Sequence, residues 1–254
     1  MDTVVARTLE SRARRHEVRV LLVRRPGSHP DRRTAFLAHT TREQTWIEAV
    51  PFEDPHERLD VDLALLHEPT PPGIGAADSP EAIFLVCTNG RHDACCADLG
   101  RPVVRALKAA GVEDVWEVSH VGGDRFAANL VALPSGVYLG RVEPDDAADV
   151  VAGLRSGTIP LEHYRGRSCF PPLVQAAEIV LRSHLDERRI DGLRFVRGER
   201  LGPDELRVCF DVEGTGRHEV VVRRRRAATA SLTCTAGSPV QPWAYEQVSV
   251  TPSS

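Results

Sequence analysis

Four side chains able to hold a soft or borderline metal ion fall on two short stretches: Cys87 and Cys96, nine positions apart, then His120 and Asp124, four apart. Thiolate and imidazole suit zinc and iron-sulfur clusters, and a carboxylate adds a harder oxygen. The residues between the two pairs give them a way to meet. Ala82 to Val86 is a continuous apolar run ending at Cys87, a helical pattern follows Cys96, and Val115-Trp-Glu-Val118 is a second strand pattern ending just before His120. A strand-helix-strand unit places its two strands parallel and adjacent, so their C-terminal loops open side by side. Cys87 then closes a strand, and Cys96 opens a helix whose positive dipole end favours a thiolate. His120 and Asp124 flank Val121-Gly-Gly123, where two glycines let the backbone fold closely.

Each of these residues also has an ordinary structural use. Two cysteines at this spacing are commonly buried small hydrophobes, and an aspartate after two glycines is commonly a solvated loop residue. His92, between the cysteines, and Cys95, beside Cys96, are rivals to Asp124 as a fourth ligand; an exposed loop position is the simpler reading of His92.

With 254 residues, a net charge of -4 and 42% hydrophobic residues, the chain can bury an ample core and offers no general basis for binding nucleic acid. Lys108 is the sole lysine among 32 basic residues, a bias that reports genome composition before function. No apolar run approaches a membrane span, and the N-terminus lacks the apolar core of a signal peptide, so a cytoplasmic protein without membrane contact is expected. In that compartment six cysteines argue against a disulfide framework, and Cys95 and Cys96 cannot pair with each other without strain.

Along the chain, residues 1 to 16 carry a weak helical pattern. Val18 to Val23, Ala35 to Ala38 and Thr45 to Val50 read as strands extending the central sheet, with a turn at Pro26 to Pro30. A helix is expected over Asp98 to Ala110, with Leu99, Val103, Val104 and Leu107 on its apolar face and Gly111 as its stop. Phe126 to Leu133 and Gly136 to Val142 read as a hairpin, Asp145 to Leu154 and Gln175 to Leu185 as helices. Beyond Ile190 short strands are expected at Leu193 to Val196, Leu206 to Val212, Glu219 to Arg224 and Ser231 to Thr235, then Pro-rich coil. Arg223 to Arg226 suggests either an anion patch or a charged strand edge.

The stretch Phe84-Leu-Val-Cys-Thr-Asn-Gly-Arg-His-Asp-Ala-Cys-Cys96, with Gly100-Arg-Pro102, Trp116-Glu-Val-Ser-His-Val-Gly-Gly-Asp-Arg-Phe-Ala127, Gly140-Arg141, Tyr164-Arg-Gly-Arg-Ser168 and Gln175-Ala-Ala-Glu178, resembles the sucrase/ferredoxin-like family. The resemblance covers roughly residues 17 to 185 and implies an α/β, thioredoxin-like ferredoxin fold. It also implies a [2Fe-2S] cluster on two cysteines and two histidines in an H-x3-H element. Carried onto this chain, the ligands are Cys87, Cys96 and His120, with Asp124 standing where the second histidine belongs. Arg125, Arg141, Arg165 and Arg167 fall in the same motifs; they can line the cluster pocket, meet an anionic partner, or pair with carboxylates such as Asp93 and Glu117.

The expected organisation is a thioredoxin-fold domain over 17-188, with an N-terminal strand extension, and a small β-rich appendage over 189-254. No C-x-x-C, G-x-S-x-G, P-loop or dinucleotide fingerprint is present, which favours an electron carrier over an enzyme with its own substrate. The expected partners are redox proteins, a reductase and an acceptor. A zinc module and a cluster-free binding scaffold are the alternatives.

Overall fold

The computed structural model describes residues 3–27, 33–54, 56–57, 60–234 and 238–253. A helix, α1 (Thr3–Arg15), leads into β1 (Val23–Arg24), β2 (Arg33–Thr40) and β3 (Thr45–Phe52). The strand expected from Val18 pairs only at its end, Val23 opposite Val118 and Arg24 opposite Glu117. It stops there because the Leu22 N–H donates to the Ser119 hydroxyl instead of a ladder carbonyl. Of the turn expected at Pro26 to Pro30, the last three residues lie outside the described ones. β2 and β3 do not extend the central sheet; they form a separate two-stranded ribbon. Phe36, Ala38 and Ile47 of this ribbon pack on Ile83, Leu85 and Trp116, so it lies on a face of the central sheet and not along its edge.

The central sheet is built from β4 (Ile83–Cys87), β5 (Val115–Val118), β6 (Leu130–Leu133), β7 (Val137–Leu139) and β8 (Tyr164–Arg167), in the order β1-β5-β4-β6-β7-β8. β4 and β5 run parallel, with Cys87 opposite Val118; β6 is antiparallel to β4, and β7 to β6. A parallel strand-helix-strand unit, an antiparallel hairpin beside its first strand and a following helix make up the thioredoxin-like arrangement. β4 is buried at every position, as its unbroken apolar run requires of a strand covered on both faces.

Three helices cover the sheet and its flank: α2 (Ala94–Ala109), α3 (Ala147–Arg155) and α4 (Pro172–Leu185). α2 begins four residues earlier than its apolar pattern predicts, because Asp93 caps it by accepting a hydrogen bond from the Cys95 N–H at 2.9 Å. The earlier start brings Cys96 into the first turn. Cys96, Gly100, Val103, Val104 and Leu107 form the buried face, and Leu99, expected among them, is 50% exposed. It falls outside the stripe that the i, i+4, i+7 spacing from Cys96 defines. Gly111 ends the helix at a φ of +77°, as anticipated.

The last region is a four-stranded antiparallel sheet of β9 (Leu193–Gly202), β10 (Glu205–Val212), β11 (Gly216–Arg226) and β12 (Trp243–Ser253), ordered β12-β11-β10-β9. Residues 231 to 234 are not a strand, and Thr235 lies outside the described residues; here Ala230 and Val240 form an isolated bridge. The segment expected as coil is instead the edge strand β12, where Pro252 is tolerated because an edge has no second partner to satisfy. The Arg223 to Arg226 run lies on β11, an interior strand, and its charges are engaged: Arg223 with Glu205, Arg224 with Asp204, Arg225 with Glu246, and Arg226 with the Gln241 carbonyl. α4 buries Leu173, Val174, Ala177 and Leu181 against Val208, Phe210, Val220 and Val222 of this sheet, so the two regions share one helix and one apolar core.

Candidate metal centre

Cys87, the last residue of β4, and Cys96, in the first turn of α2, meet because α2 lies directly on the end of β4. Gly100 makes this possible: a Cβ there would sit 2.1 Å from the Cys87 carbonyl oxygen. The parallel β5 carries the chain to His120, and Gly122 and Gly123, both at positive φ, turn it back to a short 3-10 turn over Asp124–Phe126. Asn129 ties the two loops together. Its side-chain amide donates to the Gly123 carbonyl at 3.0 Å, and its own carbonyl accepts from the Cys87 N–H at 3.0 Å.

The predicted residues are brought to one place. Ligand atoms of Cys87, Cys96 and His120 lie within 4.8 Å of one another, and so do those of His92, His120 and Asp124. The Cys96 thiol donates to Asp124 Oδ1 at 3.4 Å; the same carboxylate lies 3.0 Å from His120 Nδ1 and 3.3 Å from His92 Nε2. His92 is therefore at the site, with its ring 3.7 Å from that of His120, and it is exposed there, as the simpler reading of the sequence expects. Asn129 and Arg19, which donates to the His120 carbonyl at 3.3 Å, were not anticipated. Neither belongs to a ligand pattern, and their roles arise only once the loops are folded.

Cys95 is not a spare thiol. It is bonded to Cys234, 139 positions away, against the expectation of a chain without disulfides. Consecutive helical residues point about 100° apart, so Cys96 turns to the sheet while Cys95 turns outward to the C-terminal region. With this bond formed, Cys95 drops out as a rival ligand.

The electrostatics describe a site waiting for a cation. Burial pushes the Cys96 thiol far above the ordinary range, and the neighbouring Cys87 adds to the shift, so Cys96 rests as a thiol until a metal displaces its proton. Burial lowers the His120 imidazole; Asp124 opposes that shift, and His92 and Arg19 reinforce it. A neutral imidazole is the form that binds metal. His120 Nδ1 is buried without a hydrogen-bond partner, since its approach to Asp124 lacks the required alignment. A metal ion would satisfy this orphaned nitrogen, and the residues present fit one.

The sucrase/ferredoxin-like family model matches residues 7–166, more than half of the chain. The chain belongs to the sucrase/ferredoxin-like family. Curated relatives include Altered inheritance of mitochondria protein 32 of Debaryomyces hansenii, 33% identical in an alignment of 100 residues that covers 35% of this chain and 37% of that protein. The protein of the same name from Meyerozyma guilliermondii is 28% identical over 35% of this chain and 36% of its own length. The chain thus spans little more than a third of these relatives. Among solved structures, a thioredoxin-like [2Fe-2S] ferredoxin from Aquifex aeolicus is similar over 36% of this chain and 94% of its own, at 20% identity and a TM-score of 0.31. Among the described residues of this sucrase/ferredoxin-like protein, no helix is long and apolar enough to cross a membrane.

Proposed function

We propose that the chain holds a [2Fe-2S] cluster through Cys87, Cys96, His120 and Asp124 and passes single electrons between two redox proteins, a reductase and an acceptor. The observation that carries this reading is the convergence of Cys87, Cys96 and His120 within 4.8 Å, where the buried His120 Nδ1 meets the Asp124 carboxylate at 3.0 Å without an aligned hydrogen bond. Such a cluster, when bound, supplies one-electron chemistry. The chain's part is to hold the ligands, to shield them and to set the local charge. β4 and α2 fix the two thiols in a buried, apolar setting, while Asp124 adds an anionic oxygen that disfavours reduction relative to a neutral imidazole.

Visible absorption of anaerobically purified protein, with iron and sulfide analysis, tests the proposal. Brown protein with two irons and two sulfides per chain is expected, lost in Cys87→Ser and kept in Cys209→Ser. Asp124→His should keep the cluster and raise its potential, with about 59 mV corresponding to a tenfold shift of a one-electron equilibrium. A full cluster of unchanged potential in Asp124→Ala would remove Asp124 from the ligand set and direct attention to His92.

The compactness of the donor set favours a second reading. Three ligand atoms within 4.8 Å also suit one tetrahedral zinc ion, with Asp124 alongside as a fourth ligand. Colourless protein carrying one zinc per chain would select it.

A further inference from the structure

Across β9 to β12 and around α4, arginines face carboxylates. Three arginines behind the metal centre, Arg165 on β8 and Arg125 and Arg141 on neighbouring loops, are placed differently. Arg125, Arg141 and Arg165 gather on the ring of Phe126, with guanidinium carbons 4.5, 5.5 and 3.0 Å from its centroid. Among the described residues none of the three has a carboxylate within ion-pair distance. Arg165 Nη1 is buried without any hydrogen-bond partner. Burial, with Arg125 and Arg141 beside it, pushes the Arg165 guanidinium down to about 10, the mark of like charges collected without a counter-charge.

The three guanidiniums open onto a groove of about 580 Å³ between the metal-centre loops, α4 and β12. The far wall carries Tyr245 and Trp243, the latter with the Arg224 and Arg226 guanidiniums 4.4 and 3.9 Å from its ring centroid. Glu246, the carboxylate on that wall, is taken by Arg225. A buried donor with no acceptor costs about 1–3 kcal/mol, and clustered positive charge adds to that cost, so the arrangement calls for an anion from outside. Arginine forks suit tetrahedral oxyanions, which can accept from several guanidiniums at once. Stacking on Phe126 holds the Arg165 fork in place before any ligand arrives.

We infer that Arg125, Arg141 and Arg165, on the platform of Phe126, form a binding site for a small phosphate ester whose apolar or aromatic body lies against Trp243 and Tyr245. The site is separate from the metal ligands, and the inference does not depend on which metal they hold.

Calorimetric titration of the purified full chain with phenyl phosphate, at fixed ionic strength, tests this. One saturable site per chain is expected, with a lower Kd than for inorganic phosphate. In Arg165→Met and in Arg141→Ala binding should weaken by about tenfold or more. Arg141 is exposed, so its variant tests the site even if the Arg165 variant fails to fold. Arg223→Ala, which removes an arginine paired with Glu205, should leave binding unchanged. Absence of saturable binding to wild type at ligand concentrations on the order of 10 mM, or equal Kd values for wild type and Arg141→Ala, would overturn the inference.

Discussion

At the loops that follow β4 and β5 a buried histidine nitrogen makes no aligned hydrogen bond; at the end of α4 a buried arginine has every donor engaged. Arg182 is fully buried, and its five N–H groups donate to Glu178 Oε1 twice and to the carbonyls of Glu187, Arg189 and Ile190. Its role is internal: it fastens the turn that carries the chain from α4 into β9. The metal centre is polar in a different way. Two thiols, two imidazoles and a carboxylate crowd together, His120 Nδ1 is orphaned, and Cys96 is held protonated by burial. A guanidinium whose every N–H is engaged holds a fold together, even with Oε2 of its partner Glu178 left unbonded; a crowd of thiols, imidazoles and a carboxylate short of good hydrogen bonds suits a ligand the chain does not supply.

The largest expected effect lies at the satisfied end. Arg182→Met leaves Glu178 as an unpaired buried carboxylate and removes donors from three carbonyls, a loss of about 3–5 kcal/mol to be measured by urea unfolding. Metal bound per folded chain should not change, since the ligands lie elsewhere. A loss below 1 kcal/mol would mean the pair is far better hydrated than its burial implies.

Gly100→Ala is expected next. The added Cβ meets a backbone carbonyl and not a flexible side chain, so α2 must move off β4, at about 1–3 kcal/mol as for other overpacked sites. Because that contact sets Cys87 against Cys96, bound metal should fall with it. Full metal content in a stable Gly100→Ala protein would show that the thiols do not need this approach.

At the unsatisfied end, His120→Ala should destabilise metal-free protein by less than about 1 kcal/mol, since Nδ1 loses only a part-exposed and poorly aligned contact with Asp124. Metal content should nevertheless drop to background. Paired measurements of unfolding and of metal separate the two kinds of polar site: Arg182 affects the first, His120 the second.

The sequence carried most of the site's geometry because the strand-helix-strand rule converts order along the chain into position in space. Cys87, Cys96, His120 and Asp124 met as that rule required. What it could not carry depended on contacts between distant segments. The Cys95 to Cys234 bond joins residues 139 positions apart, and no spacing rule predicts it. The β2-β3 ribbon read as more central sheet because its alternation shows a strand but not which sheet it joins. β12 was hidden by Pro242 and Pro252 flanking and interrupting an otherwise polar, alternating run, a pattern that only an edge position accommodates. Leu99 misleads because it stands four residues before Val103, at the margin of the stripe that Cys96, Gly100, Val103 and Leu107 define, and the margin is exposed.

The smallest expected effect returns to the satisfied end, at its exposed rim. Arg189 donates to both oxygens of Glu187, and this pairing holds the Glu187 carboxyl below its ordinary 4.5. A carboxylate whose folded-state pKa is depressed adds stability above its unfolded pKa and loses it as pH falls through the folded value. Wild type should therefore exceed Glu187→Gln by a small, constant margin from neutral pH down to about pH 5. That margin should close on further acidification, as Glu187 takes up its proton and the pair with Arg189 is lost. Urea midpoints for both proteins, measured across the acid range, would show it. A margin that stays constant well below pH 4 would assign the difference to the shape of the side chain and not to its charge, leaving Arg182 alone to fasten the turn.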